Sequence, residues 1–568
     1  MSNALEQASL IMVPSGYEDG TLGSLKPTDG TGDFTFSRGS DISATRVNAD
    51  GYIEKGYENL LLQSNSFTTS PWSFIDVTLT GGQEGYDGSS NAWKAQFNSG
   101  FRYIGQNISS SGINTFSVYA KAGTTEWIRL SPFGTSSSVR IYFNIPLDGS
   151  GSVGFVSGDV ETNIDYISNG WYKCSITIKE SFTSLNIVGS NADNSTSTSG
   201  EYCYIQDAML NQGLVAYPYI ETTTTPVAGG ILEDMPRLDY SSCPALLLEP
   251  QRTNLIEHSE YITSANNASI SHNATESPEG ELNAPIFTAT TTDPFVRSSN
   301  ISITTGTSYS ISFYIKGFGT AIGKGCTTSV TNTGIETFTL TGSWQRITYT
   351  GTATATRTNA QLRIDAPNVG AVVGEQFSVW GMQVEQGSYP TSYIPTYGVS
   401  QTRLAESCVV NNATSSIGQT EGTIFLDFVY ENNGGAFYGS YVANATGFTD
   451  FVGWRIPDDK TTLNILIRYN NVYQVLDDVA SVFAVGNRYK VALKYSSGDI
   501  KVFVNNQEKY SSTATYTTPS VSLSKHTISG NTANAVDSLQ QDTISKVNQS
   551  ILFPTALTDS ECIELTTI

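Results

Sequence analysis

The sequence repeats itself at a fixed distance, and this duplication limits the folds that are open to the chain. Asn59-Leu60-Leu61 followed by Ser64 returns as Asn254-Leu255-Ile256 followed by Ser259, 195 positions later (254 − 59). Residues 116–121 (FSVYAK) and 311–316 (ISFYIK) are separated by the same distance (316 − 121). A duplication of this length indicates two copies of one folded module, each long enough to bury its own core.

The two copies differ in length at one place. Trp171 in NGWYKCSI corresponds to Trp344 in GSWQRITY, but this pair is only 173 positions apart (344 − 171). The first copy therefore holds 22 additional residues (195 − 173) before Trp171. The Gly- and Ser-rich segment 145–160 is where we expect them, as an inserted loop.

Apolar alternation with a period of two predicts strands throughout the chain. Residues 116–121 and 171–178 alternate in this way, and so do residues 423–430, 491–495 and 500–504 near the C-terminus. Gly, Ser and Asn clusters recur about every ten residues, which is typical of antiparallel β-sandwiches. Thr558 and Glu561 have the spacing of a capping box, which predicts one short helical turn.

These patterns predict an all-β chain in which an extended N-terminal segment precedes tandem antiparallel sandwiches. The predicted division is an anchor segment over 1–56, a first β-sandwich module over 57–222, a linker with an extended segment over 223–244, a second, related module over 245–404, a linker over 405–416, and a third, different sandwich over 417–568.

Composition excludes several classes of partner. Only 14% of the residues are charged, and the formal net charge is −22. Because phosphate contacts need clustered cations, and no basic run exists, we predict no nucleic-acid binding. No apolar run approaches the roughly 20 residues of a membrane helix, and the N-terminus lacks the basic start of a signal peptide. We therefore expect neither membrane insertion nor export by a leader.

The sequence offers no convincing catalytic centre or resident cofactor. The six cysteines are never close enough for a CxxC motif, and buried thiols are favoured over disulfides. Asp427 and Glu431 are the nearest approach to a glycosidase carboxylate pair, but the spacing lacks a middle acid. Three histidines, His258, His272 and His526, lie far apart. We predict that the chain is not an enzyme and has no cofactor; a structural calcium ion is compatible with such modules, without nameable ligands.

Exposed aromatic rings are the usual platforms for sugars on β-sandwiches. Trp72, Trp127 and Trp454 lie near loop signals and are the candidate platforms, with plain packing as the competing interpretation. Three other tryptophans lie in alternating strand patterns and are predicted to be core: Trp171, Trp344 and Trp380.

Three segments carry a family resemblance: residues 33–54 (DFTFSRGSDISATRVNADGYIE), 236–240 (PRLDY) and 243–261 (CPALLLEPQRTNLIEHSEY). Together they resemble bacteriophage virion appendage proteins of the head-fibre, tail-fibre and capsid-decoration type. The resemblance implies jelly-roll modules like carbohydrate-binding modules and a last domain like concanavalin A or laminin G.

The resemblance also implies a function. It places the protein on the virion surface, attached to other virion proteins through residues 1–56 and binding cell-surface or environmental glycans weakly for host attachment. A homotrimer is the expected assembly, with a dimer as the alternative. Two other functions stay open: a purely architectural capsid or tail decoration, and a depolymerase of capsular polysaccharide. A secreted bacterial adhesin is disfavoured by the missing signal peptide.

Overall fold

Strands make up nearly all of the regular structure. The computed structural model describes residues 2–18, 21–40, 43–98, 102–136, 138–196, 200–232, 235–240, 244–368, 370–431, 437–445, 449–528 and 545–568. Within these ranges every paired strand is antiparallel, so the all-β prediction is confirmed. No helix in the described part of the chain is long and apolar enough to cross a membrane.

The residues before the first module form short elements. They are α1 (Ser2–Gln7), β1 (Leu10–Glu18), β2 (Thr21–Lys26), β3 (Phe34–Ser37), β4 (Thr45–Val47), β5 (Ile53–Lys55) and β6 (Tyr57–Asn59).

The first module is a sandwich of two six-stranded sheets. Its strands are β7 (Trp72–Ile75), β8 (Val77–Gln83), β9 (Ala92–Phe97), β10 (Tyr103–Ser110), β11 (Asn114–Ala122), β12 (Trp127–Phe133), β13 (Arg140–Asn144), β14 (Ser152–Ser157), β15 (Val160–Ser168), β16 (Trp171–Ile178), β17 (Phe182–Ser190) and β18 (Tyr202–Gln212). One sheet has the order β14-β13-β12-β17-β10-β7 and the other β15-β16-β11-β18-β9-β8. Alternate residues of both sheets, such as Phe116, Ile128 and Ile187, meet in one core.

The second module repeats this arrangement with two five-stranded sheets. The connecting segment and the module contain β19 (Val227–Gly229), β20 (Arg237–Asp239), β21 (Ala245–Leu248), β22 (Arg252–Asn254), β23 (Ser264–Asn266), β24 (Ala268–Thr275), β25 (Ala284–Ala289), β26 (Phe295–Arg297), β27 (Ile301–Ile303), β28 (Ser308–Phe318), β29 (Gly325–Val330), β30 (Glu336–Thr339), β31 (Gln345–Thr352), β32 (Arg357–Ala360), β33 (Leu362–Asp365), β34 (Gln376–Gln386) and β35 (Gln401–Arg403). The sheet orders are β23-β26-β33-β29-β30 and β24-β25-β34-β28-β31.

Comparing the two modules shows what the additional residues of the first copy build. Each sheet of the second module matches its counterpart strand by strand, except that β14 and β15 have no equivalent. The additional residues lie around the predicted segment 145–160, but they form two strands rather than a loop. These strands are joined by a turn at Gly158, and each one is added to the edge of a different sheet. Edge strands need only one partner, so a sheet can grow there without disturbing its core.

The remaining strands form a terminal body together with the start of the chain. They are β36 (Ser407–Val410), β37 (Glu421–Tyr430), β38 (Phe437–Asn444), β39 (Phe451–Ile456), β40 (Leu463–Tyr469), β41 (Val472–Val479), β42 (Asn487–Ser496), β43 (Asp499–Val504), β44 (Gln507–Ser512), β45 (Leu523–Ile528), β46 (Ser545–Phe553) and the helix α2 (Asp559–Leu565). Their sheet has the order β41-β40-β39-β38-β45-β36-β3-β2-β1-β46-β37-β42-β43-β44; in addition, β21 pairs with β46, and β20 pairs with β21. The predicted capping box on α2 is confirmed, because Thr558 and Glu561 exchange both of its hydrogen bonds.

This topology corrects the predicted N-terminal anchor and the predicted linker over 405–416. β1 pairs with β46, and β3 pairs with β36, so residues that were predicted to anchor the chain to another body complete the terminal sheet instead. The reason is apolar burial: Leu10, Met12, Leu22 and Phe34 are fully buried in the same core as Val491. β20 is the extended segment that was predicted inside 223–244. β36 lies inside 405–416 and pairs with β3 and β45, so this segment is not a simple connector.

The duplicated residues have the same structural role in both modules. Asn59 donates through Nδ2 to the carbonyls of Ala208 and Ile220, at 3.3 and 2.7 Å, and accepts from two backbone N–H groups. Asn254 makes the equivalent four hydrogen bonds, donating to Met382 and Ile394 at 3.1 and 2.9 Å. Each asparagine thereby ties the entry strand of its module to the long central strand.

Ser64 and Ser259 form a second equivalent pair. The hydroxyl of Ser64 lies 2.7 Å from Tyr219 OH, and that of Ser259 lies 2.6 Å from Tyr393 OH. In both modules the serine hydroxyl also accepts a backbone N–H from the segment that follows the tyrosine. The repeat seen in the sequence is thus a repeat of specific buried hydrogen bonds.

A buried ionic junction joins the terminal body to the second module. Arg237 donates to both carboxylate oxygens of Glu406 at 2.6 Å and to Glu249 at 2.7 Å. Arg38 contacts Glu406 at 3.1 Å, and Arg403 contacts Glu249 at 3.0 Å. The five side chains are almost completely buried, so the two carboxylates are needed to offset most of the charge of the three guanidinium groups. Arg38, Arg237 and Glu249 come from the three segments that carried the family resemblance.

A second buried cluster joins β5 to the second module. Lys55 Nζ contacts Glu260 at 2.9 Å, the hydroxyl of Tyr397 at 3.0 Å, and Glu279. Burial alone would lower the pKa of Lys55, but Glu260 and Glu279 hold it well above its usual value. Beside this cluster, Gly112 lies so close to Tyr397 that a β-carbon at position 112 would overlap its carbonyl oxygen. The modules are therefore packed tightly against each other.

Candidate functional site

An open groove lies on the outer face of the sheet that contains β12. Along β12, Ile128 and Leu130 point into the core, so Arg129 and Phe133 point to the opposite, outward face. Neighbouring strands β10, β13 and β17 add further outward side chains, and the groove encloses about 590 Å³. This volume is within the range of roughly 300–1,000 Å³ that is usual for small-molecule sites.

Three arginines line the groove. Arg102, which directly precedes β10, is buried and donates to the carbonyl of Thr196 at 2.6 Å. Arg129 donates to Tyr142 OH at 3.4 Å, with its guanidinium 5.8 Å from the centre of the tyrosine ring. Arg140 is exposed and donates to Ser138 Oγ at 3.2 Å. The groove is therefore rich in fixed hydrogen-bond donors.

The arginines influence one another. Burial lowers the pKa of Arg102, and the positive charge of Arg129 lowers it further, while Glu201 acts in the opposite direction. The two guanidinium groups are thus close enough to repel. No aspartate or glutamate is among the described side chains that line the groove.

An aromatic ring stands at the groove edge. Phe133 ends β12 and is 69% exposed, which is unusual for a phenylalanine. Tyr103 and Asn186 add a half-buried ring and an amide on adjacent strands. Asn186 is held over Gly105, where a β-carbon would overlap its side-chain oxygen. A flat apolar ring beside amide and guanidinium donors matches the two faces of a sugar, which are C–H-rich and hydroxyl-rich.

The three tryptophans that were predicted as platforms are not brought together. Trp72 is 6% exposed in the first module core, and Trp454 is 1% exposed in the terminal core, so neither ring face is open to a sugar. Trp127 is half-buried; it lies on the same face of β12 as Arg129, two residues along, with one side of its ring against Gly154. Trp127 thus stays a predicted platform on the same sheet face as the groove.

Of the three tryptophans predicted to be core, two are buried and one is not. Trp171 and Trp380 are buried, as predicted. Trp344 is only half-buried and lies just before β31, where its indole N–H donates to the carbonyl of Glu276 at 3.0 Å.

The groove residues were missed because they come from separate strands. Outward positions of four strands form the site, and alternation alone does not reveal which strands become neighbours. One local signal was present: Phe133 follows Pro132 and precedes Gly134, so an apolar ring stands next to turn residues. Its position at a strand end could have marked it as an exposed platform.

The acidic residues considered for catalysis are engaged in ion pairs. Asp427 accepts two hydrogen bonds from the guanidinium group of Arg488, at 2.8 and 2.6 Å. Glu431 pairs with Lys546 at 3.1 Å. These contacts occupy both carboxylates with neighbouring cations.

The histidines and cysteines lie in structural positions. His526 is buried between Tyr441 and Ser550, and burial lowers its pKa to about 4. Within the described ranges no group of three or more His, Cys, Asp or Glu residues could hold a metal ion. Five cysteines are buried free thiols: Cys174, Cys203, Cys326, Cys408 and Cys562. Cys243 lies outside the described residues.

Comparison with known proteins gives only distant structural similarity. No protein-family model matches the chain, and no curated protein matches it. The CBM40 domain of the Ruminococcus gnavus IT-sialidase bound to α2,3-sialyllactose aligns with a TM-score of 0.24 and 14% identity over 27% of this chain and 84% of that chain.

Two further solved structures are similar at the same level. Domain 4 of AbnA, a GH43 extracellular arabinanase from Geobacillus stearothermophilus in complex with arabinotriose, aligns with a TM-score of 0.24 and 13% identity over 29% of this chain and 73% of that chain. The binding domain of botulinum neurotoxin serotype D aligns with a TM-score of 0.21 and 8% identity over 28% and 40% of the two chains. At these values the comparisons carry no functional argument, so function must be argued from the groove.

Proposed function

We propose that the chain is a non-enzymatic, glycan-binding appendage of a bacteriophage virion, with the groove on the first module as its saccharide site. The observation that carries the glycan-binding part is the exposed ring of Phe133 beside the donors of Arg129, Arg140 and Asn186 on an open sheet face. Such a face stacks on one side of a sugar ring and hydrogen-bonds its hydroxyl groups. The virion part rests on the sequence resemblance.

Weak single sites suit this function. A groove open to solvent is expected to bind one saccharide with a Kd of about 1 mM, near −4 kcal/mol. A homotrimer would present three grooves, and linked sites can raise apparent affinity by about 10²–10⁴. Many weak contacts would hold a particle on a glycan-coated surface and still allow it to move.

Attachment to other virion proteins would use a face of the terminal body. Residues 1–56 were predicted to reach out to the particle, but their strands β1, β2 and β3 are paired inside that body instead. Immunogold electron microscopy of phage particles with an antibody against the chain tests the location. Gold on the particle surface is expected, and particles without label would contradict the virion assignment.

Absence of catalysis is also part of the proposal. The ion pairs of Asp427 and Glu431 support it, because a general acid or a nucleophile needs a carboxylate free to reach its substrate. Incubation with capsular polysaccharide should leave its chain length unchanged. Depolymerisation that is lost in both Asp427→Asn and Glu431→Gln would show an enzyme.

Saturation-transfer NMR on the full-length chain with a panel of oligosaccharides tests glycan binding. We expect binding near millimolar concentrations, and Phe133→Ala should weaken it about tenfold by removing the stacking ring. Tyr473→Ala, which removes an exposed ring from β41 of the terminal body, is the matched control and should have no effect. Absence of binding to every saccharide at about 10 mM would favour the architectural alternative.

A further inference from the structure

The groove differs in charge from the rest of the molecule. The chain carries 52 acidic and 30 basic residues, yet the described ionisable side chains that line the groove, apart from Tyr103, are Arg102, Arg129 and Arg140. On a protein with a net charge of −22, this is a local positive site surrounded by a negative field.

We propose that the groove selects acidic saccharides, with Arg129 and Arg140 binding a carboxylate or sulfate group while Phe133 stacks on the sugar ring. The proposal rests on the glycan-binding function above and specifies its ligand class. A planar guanidinium donates two parallel hydrogen bonds to an oxyanion, which a neutral hydroxyl cannot accept in the same way.

The guanidinium groups of Arg129 and Arg140 are available for such a ligand. No carboxylate of the described residues lies within 4 Å of either one, in contrast to Arg237 and Arg488, which are paired. The Nε atom of Arg129 is buried and has no hydrogen-bond partner in the described structure. A buried donor without a partner is costly, and a bound oxyanion would satisfy it.

Repulsion within the groove favours the same ligand. Burial is the main cause of the lowered pKa of Arg102, and the positive charge of Arg129, which lines the same groove, lowers it further. A negative group bound in the groove would offset this repulsion between the two guanidinium groups. Two carboxylates lie nearby without filling the groove: Glu201 acts on Arg102, and Glu180 accepts the backbone N–H of Ser136 at 2.8 Å at the rim. An anion bound to Arg129 and Arg140 would therefore displace no carboxylate of the described residues from either guanidinium group.

A test compares saccharides that differ only in charge. Binding of trigalacturonate to the full-length chain is measured by NMR titration against its fully methyl-esterified, neutral form, and a sulfated lactose is measured against lactose. We expect each acidic ligand to bind at least about tenfold more tightly than its neutral partner, and the difference to shrink as salt is raised.

Arginine variants then show which side chains are responsible for the preference for acidic ligands. Arg140 is exposed, so Arg140→Gln should fold normally. It should weaken acidic ligands about tenfold more than neutral ones, because the glutamine amide can still donate a hydrogen bond to a hydroxyl group but carries no charge. Arg129→Gln should act in the same direction, with its melting temperature recorded to separate misfolding from lost binding. Arg357→Gln, an exposed arginine in the second module, is the matched control and should change neither ligand.

The outcomes separate this inference from the function on which it rests. Equal affinity for acidic and neutral ligands, still sensitive to Phe133→Ala, would refute the charge selection and leave glycan binding intact. Acidic binding that Arg140→Gln and Arg129→Gln do not weaken would also refute it. Binding of neither class would refute both. A preference for only the carboxylate or only the sulfate would support the proposal and identify the acidic group.

Discussion

Glu406 offers a stringent test of the buried junction, because a single isosteric change unbalances its charge. The carboxylate accepts hydrogen bonds from Arg237 at 2.6 Å on each oxygen, from Arg38 at 3.1 Å and from the backbone N–H of Glu249 at 2.9 Å. Glu406→Gln leaves three guanidinium groups opposite one carboxylate and turns an amide donor toward other donors. Breaking one partner of a buried ionic group typically costs about 3–5 kcal/mol.

The effect should appear in the terminal body. For a unit of this size, about 3–5 kcal/mol corresponds to a fall in Tm of roughly 6–20 °C. Calorimetry gives the transition, and the fluorescence of Trp454, buried in the terminal core, should change with it. Glu508→Gln, which breaks the exposed pair with Lys501, is the matched control and should cost at most about 1 kcal/mol.

A double variant checks that charge is the cause. Arg38→Met removes one guanidinium, so Glu406→Gln with Arg38→Met should be less destabilised than the sum of the single changes predicts. If Glu406→Gln behaves like Glu508→Gln, or if the two changes simply add, the charge-balance argument for the junction is wrong.

Three further predictions follow from buried contacts. Asn59→Ala and Asn254→Ala each leave four backbone groups unpaired, so each should destabilise its own module by about 3 kcal/mol, as measured by calorimetry; unequal losses would show that the duplicated residues are not equivalent. Burial would raise the pKa of Glu249, but Arg403, Arg237 and Ser392 hold it well below its usual value of 4.5. The ionised carboxylate therefore stabilises the folded state above pH 4.5, and this stabilisation is lost as the pH falls below that value. Acid unfolding of Glu249→Gln should not show this loss. Gly112→Ala places a β-carbon against the second module at a positive φ and should cost about 2–4 kcal/mol, whereas Gly51→Ala, also at a positive φ but in open space, should cost only about 1 kcal/mol; hydrogen exchange at the module interface distinguishes the two.

Local sequence patterns were sufficient for the strands and for the repeat. Residues 114–122 and 171–178 pair as neighbouring strands whose alternate side chains enter one core, because burial of one sheet face imposes a period of two. The duplicated asparagines, serines and tyrosines predicted two related modules because each residue makes contacts within its own module.

The pairing of strands that are far apart in the sequence was not predictable. The alternation in residues 33–38 indicated a strand, but nothing in those residues specifies that β3 pairs with β36, more than 360 positions away. The buried ion pairs of Arg38, Arg237 and Glu406 were not predictable either. The three residues are far apart in the sequence, and their charges can be buried only because the fold brings them together. The groove had the same difficulty, since its arginines come from different strands.

The pairing of β1 with β46 has a consequence for biosynthesis. Each internal module is continuous in sequence, so it can close while the ribosome is still translating the residues beyond it. The terminal body cannot, because β1 and β3 pair with β46 and β36, which are translated after both internal modules. Until those strands have been translated, the apolar β1, β2 and β3 present unpaired edges that are prone to aggregation. The terminal body is therefore protected from aggregation only after both internal modules have been translated.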